Sequence, residues 1–101
     1  MKLLTKEIEK SFPPWGSTDG QGDEAIVQVK FFCPWNQWTW YATEYDSENR
    51  IFFGLAVGFE AELGSFSLDE MEDVKGPLGM GIERDILFSP RKLGICRTYH
   101  G

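Results

Sequence analysis

Two largely apolar runs, separated by a short polar break, dominate the middle of the chain. The first run begins at Trp38 and ends at Tyr45, and the second begins at Arg50 and ends at Phe59. Aromatic and β-branched residues fill both runs, whereas residues 46–49 between them are all polar. The pattern predicts a β-hairpin over about residues 37–59, around which the remaining chain folds.

A turn at residues 46–49 would also set the register of this hairpin. Trp40 would then lie opposite Leu55, on a wholly apolar face that we expect to form the core. The other face would combine large aromatic side chains with glycine and alanine, which let a helix of the same chain or a partner approach closely. Its large residues are Tyr41, Tyr45 and Phe52.

Capping residues and the spacing of apolar positions predict two short helices outside the hairpin. Thr5 is placed to cap a first helix, which Pro13 and Pro14 would end. Ser67 is placed to cap a second helix, with Glu70 as its capping-box partner. We expect residues 15–24 to form a loop and residues 97–101 to be loose.

The other strands follow from alternation on either side of the hairpin. Residues 25–32 and residues 82–88 alternate apolar with polar side chains, and residues 60–64 look like a connection. The chain therefore predicts an α+β fold in a single domain, residues 1–101: a mostly antiparallel sheet of four or five strands, with two or three short helices on one face. The expected core is Val27, Val29, Phe31, Trp38, Trp40, Phe53, Leu55 and Val57.

Charge narrows the choice of partners. The formal net charge is -6 and the pI is about 4.7, which disfavours binding to nucleic acid or anionic lipid. Between Glu44 and Asp73 the chain has an excess of acids over the single base Arg50. Such an excess either solubilises the surface or attracts a basic protein. The candidate partner-binding residues are Tyr41, Tyr45, Phe52, Asp69, Glu70, Glu72 and Asp73.

Catalytic chemistry is weakly represented. His100 is the single histidine and lies next to the last residue, and no basic cluster is evident around Cys33 to lower its pKa. Glu83 and Asp85 could act as a carboxylate pair or bind a divalent metal, but strand charges that face solvent or an internal ion pair explain them fully, and we favour that structural interpretation. We predict no catalytic, cofactor or metal residues, and a non-enzymatic role.

The start of the chain and its apolar runs also bear on location. Lys6, Glu7 and Glu9 follow the first apolar residues too closely for a signal peptide, and no apolar run approaches the length of a membrane span. We expect a cytoplasmic protein, either a monomer or a homodimer.

Segments from both halves of the chain form a joint pattern that is fairly specific. The segments are Met1-Lys2-Leu3-Leu4-Thr5, Phe31-Phe32, Trp38-Thr39-Trp40-Tyr41-Ala42-Thr43-Glu44, Phe53-Gly54-Leu55, Gly58-Phe59-Glu60, Gly76-Pro77-Leu78-Gly79 and Ile82-Glu83-Arg84-Asp85. Together they resemble an uncharacterised family catalogued as domain of unknown function 2958. The resemblance implies a bacterial origin, frequently on phages, plasmids and other mobile DNA, and it implies no known activity and no functional residues.

These observations together predict a small acidic accessory protein of mobile elements that binds another protein with a basic surface. Inhibition of a host defence protein or nucleic-acid-binding protein would be one form of that role. Two other classes stay open: a small metal-dependent hydrolase that uses Glu83 and Asp85, and a single-strand nucleic-acid binder that uses the aromatic face.

Overall fold

The computed structural model describes residues 1–100, which fold around a five-stranded antiparallel sheet. The helices are α1 (Lys6–Ser11), α2 (Leu68–Asp73) and α3 (Leu93–Thr98). The strands are β1 (Ile26–Val27), β2 (Val29–Phe32), β3 (Thr39–Asp46), β4 (Ile51–Val57), β5 (Ala61–Ser67), β6 (Glu83–Arg84) and β7 (Arg91–Lys92). The sheet order is β5-β4-β3-β2-β6, and β1 pairs separately with β7. The predicted α+β fold is confirmed.

Both predicted helix starts are confirmed. The Thr5 hydroxyl accepts the backbone N–H of Ile8 at 3.2 Å, and the Ser67 hydroxyl accepts the backbone N–H of Glu70 at the same distance. Each bond satisfies a backbone donor that has no partner inside the helix. Both helices are only six residues long, so packing against the sheet stabilises them more than intrinsic propensity does.

The turn of the central hairpin lies one residue later than predicted. Arg50 takes a left-handed conformation, with φ of 55°, and belongs to the turn. Asp46 therefore pairs with Ile51, and the Asp46 carboxylate accepts the backbone N–H of Glu48 at 3.0 Å. Such a short-range bond is typical of Asp at the start of a turn.

A β-bulge at Thr43 shifts the hairpin register a second time. Ala42 pairs with Gly54, and Trp40 lies opposite Ala56 rather than Leu55. The predicted register is therefore wrong, because a shift of one residue moves every side chain of a strand to the other face. Each of the two predicted faces in fact mixes residues from both faces of the sheet.

The chain after the hairpin also differs from the prediction. The expected connection at residues 60–64 is mostly strand, because β5 runs antiparallel to the whole of β4. The expected strand over residues 82–88 is reduced to β6, since only Glu83 and Arg84 pair with β2. The expected strand over residues 25–32 is divided at Gln28, and β1 leaves the main sheet to pair with β7.

Helices cover both faces of the sheet, whereas we expected them on one face. Adjacent strand residues point to opposite faces, and Ala42 and Tyr41 accordingly belong to two separate apolar clusters. The larger cluster packs under α1 and α2 around Phe31 and Phe52. The smaller cluster packs under α3 around Leu55.

The end of the chain is held against the sheet rather than loose. Leu93 and Cys96 of α3 are buried, and Arg97 forms an ion pair of 3.2 Å with Asp23. The backbone N–H of Leu93 donates to the carbonyl oxygen of Ala25 at 2.8 Å. Gly101 lies outside the described residues.

Half of the predicted core is fully buried and half is not. Val27, Val29, Phe31 and Leu55 are buried, whereas the other four expected core residues are half-buried. Those four are Trp38, Trp40, Phe53 and Val57. None of the helices in residues 1–100 has the length and apolar character that a membrane-crossing helix requires.

Candidate functional site

Six acidic side chains meet at one end of the sheet, where the central hairpin turns and α2 begins. The turn and α2 are adjacent because the backbone N–H of Leu68 donates to the carbonyl oxygen of Arg50 at 2.9 Å. We call this surface the acidic end; it consists of Asp46, Glu48, Asp69, Glu70, Glu72 and Asp73.

Arg50 is the base within the acidic end, and it bridges two of these acids. Its Nε lies 2.6 Å from Asp69 Oδ1, and its Nη2 lies 2.8 Å from Glu72 Oε1. The hydrogen bond with Asp69 raises the pKa of the Arg50 guanidinium. Arg50 offsets one of six negative charges, so the acidic end keeps a strong negative potential, with Glu70 and Asp73 exposed on α2.

The candidate acids of α2 therefore lie together, as the sequence led us to expect, but three others do not join them. Glu60 lies in the turn between β4 and β5, and Glu62 pairs with Ala56, so both are near the end of β4 that is far from Ile51. Glu44 is buried on the face opposite to α2. The acidic surface is therefore smaller than the number of acids between Glu44 and Asp73 suggests.

Three tryptophans surround an open groove on the face covered by α2. Trp35, Trp38 and Trp40 line it together with Phe66 of β5, and the groove has a volume of about 310 Å³. All three tryptophans are half-buried, so part of each indole remains accessible. Glu70 of α2 borders the same groove. We call this feature the aromatic groove.

Glycines position two of these tryptophans. A Cβ at Gly76 would lie 2.7 Å from the Trp35 ring, and a Cβ at Gly58 would collide with the Trp38 ring. A side chain at either position would displace an indole, so the groove depends on these close approaches. The edge of the Phe59 ring also meets Trp38, at 5.9 Å between ring centroids.

The three aromatic candidate residues do not form an exposed face. Tyr41, Tyr45 and Phe52 are all buried, and Tyr41 lies on the opposite face of the sheet from the other two. The sequence left either a helix of the same chain or a partner over this face, and helices of the chain cover all three residues: α3 packs over Tyr41, and α1 and α2 pack over the cluster that contains Tyr45 and Phe52. Trp38 and Trp40, which the sequence assigned to the core, are only half-buried.

Glu44 is a buried carboxylate that the sequence reading missed. It is only 2% exposed, and it accepts hydrogen bonds from the backbone N–H groups of Gly16 and Thr18 and from the Thr18 hydroxyl. These bonds fasten the loop at residues 15–24 to β3, which explains how a loop without regular strands is held. The signal in the sequence was an acid in the interior of the first hairpin strand, between Thr43 and Tyr45.

Glu83 and Asp85 do not form a pair. Asp85 Oδ2 lies 3.7 Å from Lys30 Nζ, and Asp85 Oδ1 accepts the backbone N–H of Leu87 at 3.0 Å. Glu83 lines a different groove, beside Glu72 of α2. In residues 1–100, no group of three or more His, Cys, Asp or Glu side chains is arranged to hold a metal ion.

A second, smaller cleft lies under α3 on the opposite face. Its volume is about 260 Å³, and Lys30, Tyr41, Arg91 and Cys96 line it. The Tyr41 hydroxyl lies 2.6 Å from His100 Nδ1, so the single histidine packs against the sheet. Burial, followed by the Lys30 charge, lowers the pKa of His100.

Burial makes both cysteines poor nucleophiles, just as burial lowers the pKa of His100. Both thiols are free and buried, one on each face of the sheet. Burial raises the pKa of Cys33 and of Cys96, which disfavours the thiolate that a nucleophile needs.

Buried Tyr41 should make the protein sensitive to alkali. Burial raises the pKa of Tyr41 to about 12, whereas an unfolded tyrosine ionises near pH 10. Its contribution to stability is therefore complete below pH 10 and is lost as the pH rises towards 12, up to about 2–3 kcal/mol. Urea denaturation at increasing pH should show this loss, and Tyr41→Phe should flatten the slope. An unchanged slope in Tyr41→Phe would assign the effect to other groups, such as Tyr45, whose pKa burial also raises.

The fold and these surfaces define a small, acidic α+β protein with an open aromatic groove on one face of its sheet. The chain belongs to the family described as "Protein of unknown function (DUF2958)", whose model matches residues 3–95. No curated protein and no solved structure matches the chain.

Proposed function

We propose that this protein is a non-enzymatic binding module that recognises another protein through the aromatic groove. The observation that carries the proposal is the set of three half-exposed tryptophans around one open groove. Tryptophan is among the residues that contribute most binding energy at protein interfaces, because it buries a large area with little loss of rotamer freedom. Partly exposed indoles on a small domain are a cost that a partner would relieve.

The charges beside the groove indicate the chemistry of the partner. Glu70 borders the groove, and the rest of the acidic end continues from it along α2 and the hairpin turn. A partner that combines an apolar anchor with neighbouring Lys or Arg side chains would match both features. A nucleic-acid-binding protein of a host defence system has such a basic surface, and we propose that class of partner.

The same charges weigh against direct binding of single-stranded nucleic acid. Base stacking on tryptophans requires a basic track for the phosphates. Glu70 is the charged residue that lines the groove. The nearby Arg50 already forms ion pairs with Asp69 and Glu72. Phosphates would therefore meet a negative potential beside the stacking surface.

Removing one groove tryptophan should abolish partner binding without unfolding the protein. In capture experiments from cells that encode this protein, the specific partner should be lost with Trp35→Ala, because the indole would anchor the interface. Affinity for the purified partner should fall by about tenfold or more, and circular dichroism should confirm that the variant is folded. Trp15→Ala is the matched control, since Trp15 is exposed on the loop fastened to the opposite face. Equal loss in both variants would reject the groove as the binding site.

Neutralising the free acids of α2 should slow association with a basic partner. Glu70→Gln combined with Asp73→Asn leaves the Arg50 bridge intact and keeps the Ser67 cap. The association rate should fall several-fold at low salt, the difference should close as salt rises, and dissociation should change little. Stopped-flow or surface plasmon resonance kinetics would measure the association and dissociation rates. Equal association rates in a folded variant would show that these acids serve solubility alone.

A further inference from the structure

The outer edge of β5 is an unpaired strand edge. β5 lies at one end of the sheet and bonds only to β4. Two hydrogen bonds show which residues of β5 bond to β4. They run from the Gly58 N–H to the Glu60 carbonyl and from the Leu68 N–H to the Arg50 carbonyl, and every second residue between Glu60 and Leu68 repeats this pairing. They show that Ala61, Leu63 and Ser65 direct their N–H and C=O groups away from β4. Within residues 1–100, no backbone hydrogen bond joins those groups to another segment.

This edge has one charged residue, Glu62, and none of the other usual protection against pairing with another chain. Exposed edges are normally shortened, bulged or interrupted by charged residues, especially lysine, or by proline. β5 is seven residues long, pairs with β4 in continuous register and contains neither lysine nor proline. Its free edge is therefore a ready template for one more strand.

Grooves on both faces of the sheet end at β5. Phe66 lines the aromatic groove on the face of α2. Leu63, which is half exposed, lines a second groove of about 290 Å³ on the opposite face, together with Phe53 and Leu93. An added strand directs alternate side chains to opposite faces, so its side chains would reach towards both grooves in turn.

The negative charge at the β5 edge favours a basic strand over a second copy of this chain. Glu60 and Glu62 are the charged residues of the segment from the β4–β5 turn to Ser67, and both are exposed. A second copy of this chain, with a net charge of -6, would bring the same acids to the edge and would be repelled. A segment with Lys or Arg near Glu62 would be attracted.

We propose that the β5 edge binds an extended segment of the partner protein as a sixth strand. The backbone of Ala61, Leu63 and Ser65 would supply the hydrogen bonds, alternate apolar side chains would enter the two grooves, and a basic side chain would pair with Glu62. This inference rests on the proposed function only in that the partner is a protein. It adds the mode of recognition, which is strand addition.

A library of random linear peptides displayed on phage would be selected for binding to the protein. The selected peptides would then be tested against variants at Ser65. Selected peptides should have apolar residues at neighbouring positions, whose side chains point to opposite faces, and a basic residue placed to pair with Glu62. Ser65→Pro removes one outward N–H and blocks the neighbouring strand while leaving the β4 ladder intact. Affinity should fall about tenfold or more in Ser65→Pro and should be retained in the matched control Ser65→Ala.

Hydrogen exchange gives a readout that does not depend on a folded proline variant. Peptide binding should slow exchange of the Leu63 and Ser65 amides, which point outwards, while the Glu62 and Gly64 amides, already bonded to β4, should change less. If peptides bind but these two amides stay unprotected, the edge proposal is overturned. If Trp35→Ala then abolishes that binding, the proposed function survives.

Two other results would also overturn the proposal. Recovery of no binding peptide would reject strand addition by a linear segment. Sedimentation of the free protein as a dimer that Ser65→Pro separates would assign the edge to self-association instead.

Discussion

Replacing Glu44 with alanine should destabilise the protein by roughly 3 kcal/mol and release the loop at residues 15–24. The carboxylate is buried and accepts three hydrogen bonds, two from backbone N–H groups of that loop and one from the Thr18 hydroxyl. Each donor left without a partner costs about 1–3 kcal/mol, although the released loop will recover part of this by binding water. Such a loss is a large fraction of the stability of a domain of this size.

The effect of Glu44 can be separated from a general loss of acidic charge. Glu48→Ala removes the same side chain from the exposed hairpin turn and should change stability by less than about 0.5 kcal/mol. Urea denaturation would compare the two variants, and amide exchange would report on Gly16 and Thr18 directly. A Thr18 amide that stays protected in Glu44→Ala would contradict the proposed anchoring of the loop.

Replacing Phe52 with alanine should cost about 3–5 kcal/mol, the largest effect of any single truncation proposed for this chain. The side chain is fully buried, and its ring lies 4.8 Å from the Tyr45 ring and 5.2 Å from the Phe31 ring. It also contacts Phe66 of β5 and Phe12 beyond α1, so it joins the sheet to the first helix. Truncation would leave a cavity that these rings could fill only in part.

Phe59→Ala is the matched control for Phe52→Ala. Phe59 is 96% exposed, and its main contact is with the Trp38 ring at the edge of the aromatic groove. Its removal should hardly change the melting temperature. Thermal melts of the two variants would test the burial of Phe52, because a Phe52 left accessible for a partner would make both substitutions equally mild.

Local features of the fold were readable from the sequence because their causes are local. Thr5 and Ser67 cap helices through hydrogen bonds that reach only three residues along the chain. The two runs of aromatic and β-branched residues over residues 38–57 indicated two paired strands, and their antiparallel pairing follows from the short turn between them. The acids of α2 were placed correctly for the same reason, since helix periodicity separates them from Leu68 and Met71.

The candidate site depended on features that no local pattern carries. The bulge at Thr43 moved Tyr45 to the same face as Ala42, and α3 packs over the opposite face, so both Tyr45 and Tyr41 are buried whereas the tryptophans are only half-buried. Burial of Glu44 required a loop some 28 positions away in sequence to bring its N–H groups to the carboxylate.

The composition, the capping residues and the strand periodicity thus determined the α+β class, the central hairpin and the negative charge. The tertiary structure decided which faces of the sheet are covered, how α3 returns to pack over Leu55, and that β5 ends the sheet with a free edge. The physical reason is that capping and alternation are settled between near neighbours. Register, burial and edge exposure are settled by the free energy of packing distant segments together, which depends on all of them at once.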